Sequence, residues 1–283
     1  MLPQLLLQLA RHLLTAALFG GGLAVAAAQA ADVELQLSDR VSATADFRPG
    51  KTGKPAVLVL HGFLQTREFG IVKSIADTLA DEGYTVLAPN LSLGISSRRN
   101  SLSCEALHLH DMEGDIEEIQ RWVQWLLIRG YGRVIAVGHS FGASQLLAWR
   151  EKHPKTAHGI IGISLVSSAP FVPTSGYRAI YSGKQQPDLL QFPLSFCEAY
   201  TAPASKHASY ARWNDQKVLA ALKSSSSATN IILGSEDKYL PAGWKDSLTK
   251  AGAKVHLLKG ATHFMDGTQE FDLLEALLGI LKR

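Results

Sequence analysis

From Ala56 onward the chain alternates short, uninterrupted apolar runs with segments of helical period. The first run, Ala56 to Leu60, lies between Pro55 and His61-Gly62. Others are Thr85–Ala88, Val134–Val137, Ile160–Val166, Asn230–Leu233 and Val255–Leu258. Such runs have no polar face to turn toward water, which predicts strands of a parallel sheet covered on both sides. Between them, Ile71, Val72, Ile75, Ala76, Leu79 and Ala80 recur at helical spacing before Gly83, a stop signal. Ile116, Ile119, Val123, Leu126 and Leu127 form a second stripe, with Asp111, Glu113 and Asp115 at its start and Gly130 at its end. Acidic residues there suit the positive end of the helix dipole. Phe271, Leu274, Leu278 and Leu281 make the last stripe. Strand and helix in alternation predict an α/β fold, a doubly wound and mostly parallel sheet with right-handed crossovers. Val33 to Phe47 alternates apolar and polar residues and predicts an antiparallel hairpin at the sheet edge.

Two stretches depart from this rhythm. Between the strands ending near Ser167 and starting near Asn230, about sixty residues rich in proline and aromatics interrupt the sheet, and excursions of that length in compact domains serve as lids or binding elements. We read residues 171–223 as a cap. The first thirty residues carry one charge, Arg11, then an apolar stretch closing on Ala28-Gln29-Ala30. This predicts a signal peptide cleaved before Ala31, an exported protein spanning 31–283, and no membrane span after cleavage. An uncleaved anchor is the alternative, which three consecutive glycines and the small-residue end disfavour.

Composition changes little. With 28 basic and 25 acidic residues, a net charge of +3 and 46% hydrophobic residues, the chain has material for one sizeable core and no concentrated basic stripe for nucleic acid. Cys104 and Cys197 are its two cysteines. In an oxidising compartment a disulfide between them is permitted, and the sequence leaves the pairing open.

The strongest chemical signal is Gly138-His139-Ser140-Phe141-Gly142, set between the strand ending at Val137 and a helix predicted over Ala143–Glu151. A nucleophile on a sharp strand-to-helix turn needs small residues two places before and after it. Serine also needs a base. His263 follows Gly260-Ala261-Thr262 just past the last strand, where functional loops of open α/β sheets gather. His256 lies within that strand and is the weaker candidate. In the loop Gly234-Ser235-Glu236-Asp237 two carboxylates compete to orient the base. Asp237 is preferred over Glu236 because a group deeper in the loop can turn back toward the histidine. Backbone N–H groups of Phe141 and Phe63 are candidates for an oxyanion hole, with His61 a structural hydrogen-bonder beneath the loop.

These four motifs, in this order over about Ala56 to Phe264, resemble the α/β-hydrolase fold family. The resemblance implies an eight-stranded, mostly parallel sheet, a cap inserted after the sixth strand, and hydrolysis through an acyl-enzyme. Cys104, His108, His110 and Asp111 cluster in one loop. A metal there lacks further ligands of recognisable spacing, so this loop is read as shaping the cleft mouth, with a Cys104–Cys197 bridge to the cap left open. The reading is a serine hydrolase for a small-molecule carboxylic ester, without metal or cofactor. Thioesterase, peptidase or acyltransferase activity on the same triad is the alternative, as is a catalytically silent binding protein.

Overall fold

The computed structural model describes residues 31–156, 158–168, 189–225 and 227–282. The expected signal peptide, 1–30, and the first part of the expected cap, up to residue 188, lie outside them. The strands among the described residues are β1 (Ala31–Ser38), β2 (Val41–Arg48), β3 (Ala56–Leu60), β4 (Thr85–Asn90), β5 (Val134–His139), β6 (Gly159–Ile163), β7 (Leu190–Leu194), β8 (Cys197–Ala202), β9 (Thr229–Gly234) and β10 (Lys254–Leu258). The helices are α1 (Gly70–Asp81), α2 (Met112–Ile128), α3 (Phe141–Lys152), α4 (Ala204–Ala211), α5 (Asp215–Lys223), α6 (Trp244–Lys250) and α7 (Gln269–Leu281).

Eight strands form one sheet in the order β1-β2-β4-β3-β5-β6-β9-β10. β2 runs antiparallel to β1 and β4, and the remaining pairs are parallel. Alternate side chains of the apolar strands enter two cores. Leu58 and Leu60 pack with Ile119 and Trp122 of α2 and Leu146 and Trp149 of α3. Val57 and Val59 pack with Ile75 and Leu79 of α1 and Leu273 and Leu277 of α7. Coverage on both faces is why these strands carry no polar alternation. From β3 the chain moves outward to β4, then returns through α2 to β5 on the other side of β3. That reversal opens a crevice above the carboxyl ends of β3 and β5.

One strand is shorter than its apolar run. β6 ends at Ile163, not Val166, because Ser164 takes a left-handed backbone with φ 51°, which turns the chain out of the sheet. Asp115 also departs from expectation. Asp111 caps α2 by accepting from the Gly114 N–H at 2.7 Å, whereas Asp115 is buried at 3% exposure and accepts from Tyr210 Oη at 2.6 Å and Gln145 Nε2 at 2.7 Å. Burial holds its carboxyl up at about 8.

The described part of the 171–223 segment is the antiparallel hairpin β7–β8 followed by α4 and α5. A disulfide joins Cys104 to Cys197. Backbone bonds from His108 N to Thr201 O (2.9 Å) and from Thr201 N to Cys104 O (3.3 Å) zip the loop after β4 onto β8. Among the described residues no helix is long and apolar enough to cross a membrane.

Candidate active site

Ser140 sits between the end of β5 and the first turn of α3 with φ 56° and ψ −125°, a conformation that L-residues rarely adopt. The surroundings enforce it. Ser140 N donates to Ile163 O on β6 at 2.7 Å, and Ala143 N to Ser140 O at 3.0 Å. A Cβ on Gly142 would lie 2.3 Å from His61 O, and one on Gly138 would lie 2.8 Å from the backbone of Gly142 and Ala143. Only glycine allows the elbow to press against the β3 loop this closely.

His263 follows β10 and reaches the serine across the crevice. Its Nδ1 lies 2.8 Å from Asp237 Oδ2 and its Nε2 2.9 Å from Ser140 Oγ. A carboxylate can only accept, so the proton belongs on Nδ1 and the Nε2 lone pair faces the serine hydroxyl. The second carboxylate oxygen of Asp237 accepts the Tyr239 N–H at 2.9 Å, and the side chain is fully buried. Glu236 is exposed. Of the two acids in the loop, the structure brings Asp237 to the histidine. His256, on β10, instead meets Asn230 Oδ1 at 3.2 Å.

The backbone carbonyl of His263 is held from two sides. His139 Nε2 donates to it at 3.1 Å and Ser164 Oγ at 2.8 Å. Both residues are buried, at 1% and 0% exposure, and burial lowers the His139 imidazole to about 4, so it stays neutral. Neither residue stands out in the sequence. His139 is the variable position of the elbow pentapeptide, and Ser164 lies within an apolar run.

Below the β3 loop, His61 is neutral too, lowered to about 3 by burial and by the Arg98 guanidinium. Its Nδ1 donates to Gly62 O at 2.8 Å, and its Nε2 accepts from Leu91 N at 3.1 Å and Arg98 Nη2 at 3.2 Å. His61 is therefore a strut, as the sequence suggests. Phe141 opens α3, where an N–H has no intrahelical acceptor, and the Phe63 and Phe141 rings meet edge to face at 5.1 Å. Phe63 lines the cavity over Ser140, and Phe141 follows Ser140 directly in the chain.

The Cys104–His110 loop packs against the insertion. His108 stacks on Tyr200 with centroids 4.3 Å apart. His110 Nδ1 donates to Tyr210 Oη, and its Nε2 accepts from Tyr200 Oη at 3.3 Å. Both ring nitrogens of His110 are spent on the insertion. Among the described residues no group of side chains is arranged to hold a metal ion.

A cavity of about 260 Å³ opens over Ser140 and His263. Phe63, Phe69, Phe196, Tyr239 and Phe264 form most of its wall, with Gln65, Val166 and Ser195 between them. No Asp, Glu, Lys or Arg lies among its described lining residues. Phe196 and Ser195 arrive on the turn between β7 and β8, where the Leu194–Cys197 pair leaves a two-residue loop with Ser195 at φ 53°.

Residues 57–274 match the family model described as "Alpha/beta hydrolase family". Solved structures with similar folds include the alpha/beta hydrolase GrgF from Penicillium sp. sh18, with TM-score 0.67 and 17% identity over 90% of this chain and 98% of that one. Est1E from Butyrivibrio proteoclasticus with ferulic acid bound aligns with TM-score 0.66 and 16% identity, covering 88% and 97%. The thioesterase domain from the curacin biosynthetic pathway aligns with TM-score 0.61 and 20% identity, covering 90% and 100%. A search of curated proteins by sequence finds no match.

Proposed function

The chain belongs to the alpha/beta hydrolase family, and we propose that it is a serine hydrolase cleaving carboxylic esters through an acyl-enzyme. The observation that carries this reading is the hydrogen-bonded chain from Asp237 through His263 to Ser140. In this reading, Ser140 Oγ attacks the ester carbonyl while His263 Nε2 takes its proton. Asp237 holds the ring in the required tautomer and stabilises the imidazolium that forms. The Phe63 and Phe141 amides receive the negative charge of the tetrahedral intermediate. His263 then returns the proton to the departing alcohol, and water, deprotonated by the same ring, releases the acid.

The described wall of the cavity, aromatic and without charge, favours an apolar and flat acyl or alcohol group over a charged one. Ferulic acid, bound by the structurally similar Est1E, is an aromatic acid of this kind. The same constellation would serve a thioester, and a graded panel of both separates the two. We further propose export to an oxidising compartment, which the Cys104–Cys197 disulfide supports.

The test is labelling with a fluorophosphonate, with Ser140→Ala as control, followed by a panel of aryl and alkyl esters. Stoichiometric labelling that the substitution abolishes, with ester turnover, is the expected result. A folded protein that neither labels nor turns over any ester would overturn the reading.

A further inference from the structure

Gln65 lies two residues beyond Phe63, whose amide is one of the two proposed oxyanion donors. It closes the turn that follows β3, its N–H donating to Gly62 O at 3.2 Å. Its own carbonyl accepts from Arg98 Nη2 at 2.8 Å, and Arg98 is itself buried and bonded to Leu91 O. Leu64, one residue earlier, is held in a left-handed conformation at φ 57°. The backbone of Gln65 is thereby fixed, and the residue is among those lining the cavity that holds Ser140 and His263.

The carboxamide oxygen is tucked against Gly62, close to Ser140. A Cβ built on Gly62 would lie 2.5 Å from Gln65 Oε1 and 3.4 Å from Ser140 Cβ. This end of the carboxamide is buried and has no hydrogen-bond partner among the described residues. A buried polar atom without a partner is costly, so in a native fold it calls for an explanation. The two ends of a carboxamide exchange by a half-turn about the last torsion, and only the NH₂ end can donate. Facing a developing oxyanion, the oxygen would repel and the nitrogen would attract. Turned so that its NH₂ end meets the oxyanion, the carboxamide would gain a partner only as negative charge appears, and would stabilise the transition state more than the ground state.

We propose that the Gln65 carboxamide is a third oxyanion donor, acting beside the Phe63 and Phe141 amides. This rests on the serine-hydrolase reading above. It also assigns the site a preference for substrates whose carbonyl oxygen develops full negative charge, which esters and thioesters share.

The experiment compares the wild-type full chain with Gln65→Met and Gln65→Glu. The readouts are p-nitrophenyl acetate hydrolysis, inhibition by phenylboronic acid, and thermal unfolding. In the boronate complex a B–O bond forms to Ser140 Oγ, the serine proton passes to His263, and a tetrahedral anion mimics the intermediate. Gln65→Met is expected to lower kcat and kcat/KM together by about ten- to a hundred-fold, with KM little changed, and to weaken the boronate by a similar factor. Gln65→Glu, which sets a carboxylate against the oxyanion, should be slower still, with both variants melting as the wild type does. Variant rates and boronate inhibition within about two-fold of wild type, or a raised KM at unchanged kcat, would overturn the assignment. A wild type that neither labels with fluorophosphonate nor turns over ester would overturn the serine-hydrolase reading itself, whereas active wild type with indifferent variants removes Gln65 alone.

Discussion

His139, on the elbow, grips the backbone of His263, its Nε2–H donating to the His263 carbonyl at 3.1 Å. The neighbour of Ser140 thus fixes the height of His263 above the sheet. Ser164 Oγ bonds the second lone pair of the same oxygen at 2.8 Å. The ring of His263 is oriented by Asp237 and its main chain by the ends of β5 and β6. Removing either donor should let the loop after β10 drift, and small misplacements of a base cost rate steeply. His139→Ala and Ser164→Ala are each expected to lower kcat about ten-fold, with KM little changed. His139→Gln, which keeps a donor, should recover part of the loss. Steady-state kinetics with fluorophosphonate labelling rates check this, and unchanged rates in both alanine variants would refute it.

Asp237→Asn leaves shape intact but can present an N–H to His263 Nδ1, favouring the tautomer whose Nε2 carries the proton and cannot accept from Ser140. A loss in kcat on the order of 10⁴ is expected, by analogy with the serine-protease triad. Glu236→Gln, on the exposed neighbour, should leave the rate unaltered. Comparable losses in the two variants would mean that the acid has been misassigned.

The disulfide closes a loop of 93 residues and anchors the hairpin whose turn supplies Ser195 and Phe196 to the cavity. Replacing Cys104 and Cys197 by serine should destabilise the fold by about 2–5 kcal/mol. Backbone bonds to Thr201 keep the hairpin in place, so labelling of Ser140 should persist in the less stable but folded variant. Calorimetry of oxidised, reduced and substituted protein measures the effect, and identical midpoints would count against a stabilising role.

Asp115 makes stability depend on pH. Burial, with the nearby Glu118 charge, raises its carboxyl from 3.8 to about 8. Between those values the folded state keeps a proton that the unfolded chain has released. The stabilisation is fully present below the unfolded value and is lost as pH rises through the folded one. Asp115→Asn can still accept from Tyr210 and Gln145 but cannot ionise. Its thermal midpoint should gain on that of the wild type as pH is raised from about 5 to about 9. Parallel midpoint curves across that range would show that Asp115 does not titrate in the fold.

Much of the architecture was legible along the chain. The runs at Ala56, Thr85, Val134 and Asn230 became covered strands, which carry no polar alternation, and the run at Val255 became the half-exposed edge strand β10. The stripes beginning at Ile71 and Ile116 became helices that cover them, whereas α7 turns Leu273, Leu277 and Leu281 inward and leaves Phe271 exposed, a face the expected stripe missed. Ser140 and His263 were legible because an elbow and a histidine just past a strand are local patterns with a mechanical reason. What adjacency could not show was convergence. The choice of Asp237 over Glu236, the pairing of Cys104 with Cys197, and the burial of Asp115 depend on distances between segments far apart in sequence. The same holds for His139 and Ser164 meeting one carbonyl, and for the carboxamide of Gln65 beside Ser140. Local propensity and periodicity act over a few residues and so are written in the sequence, whereas partners for buried polar groups are chosen only when the sheet reverses direction at β3 and brings its loops together.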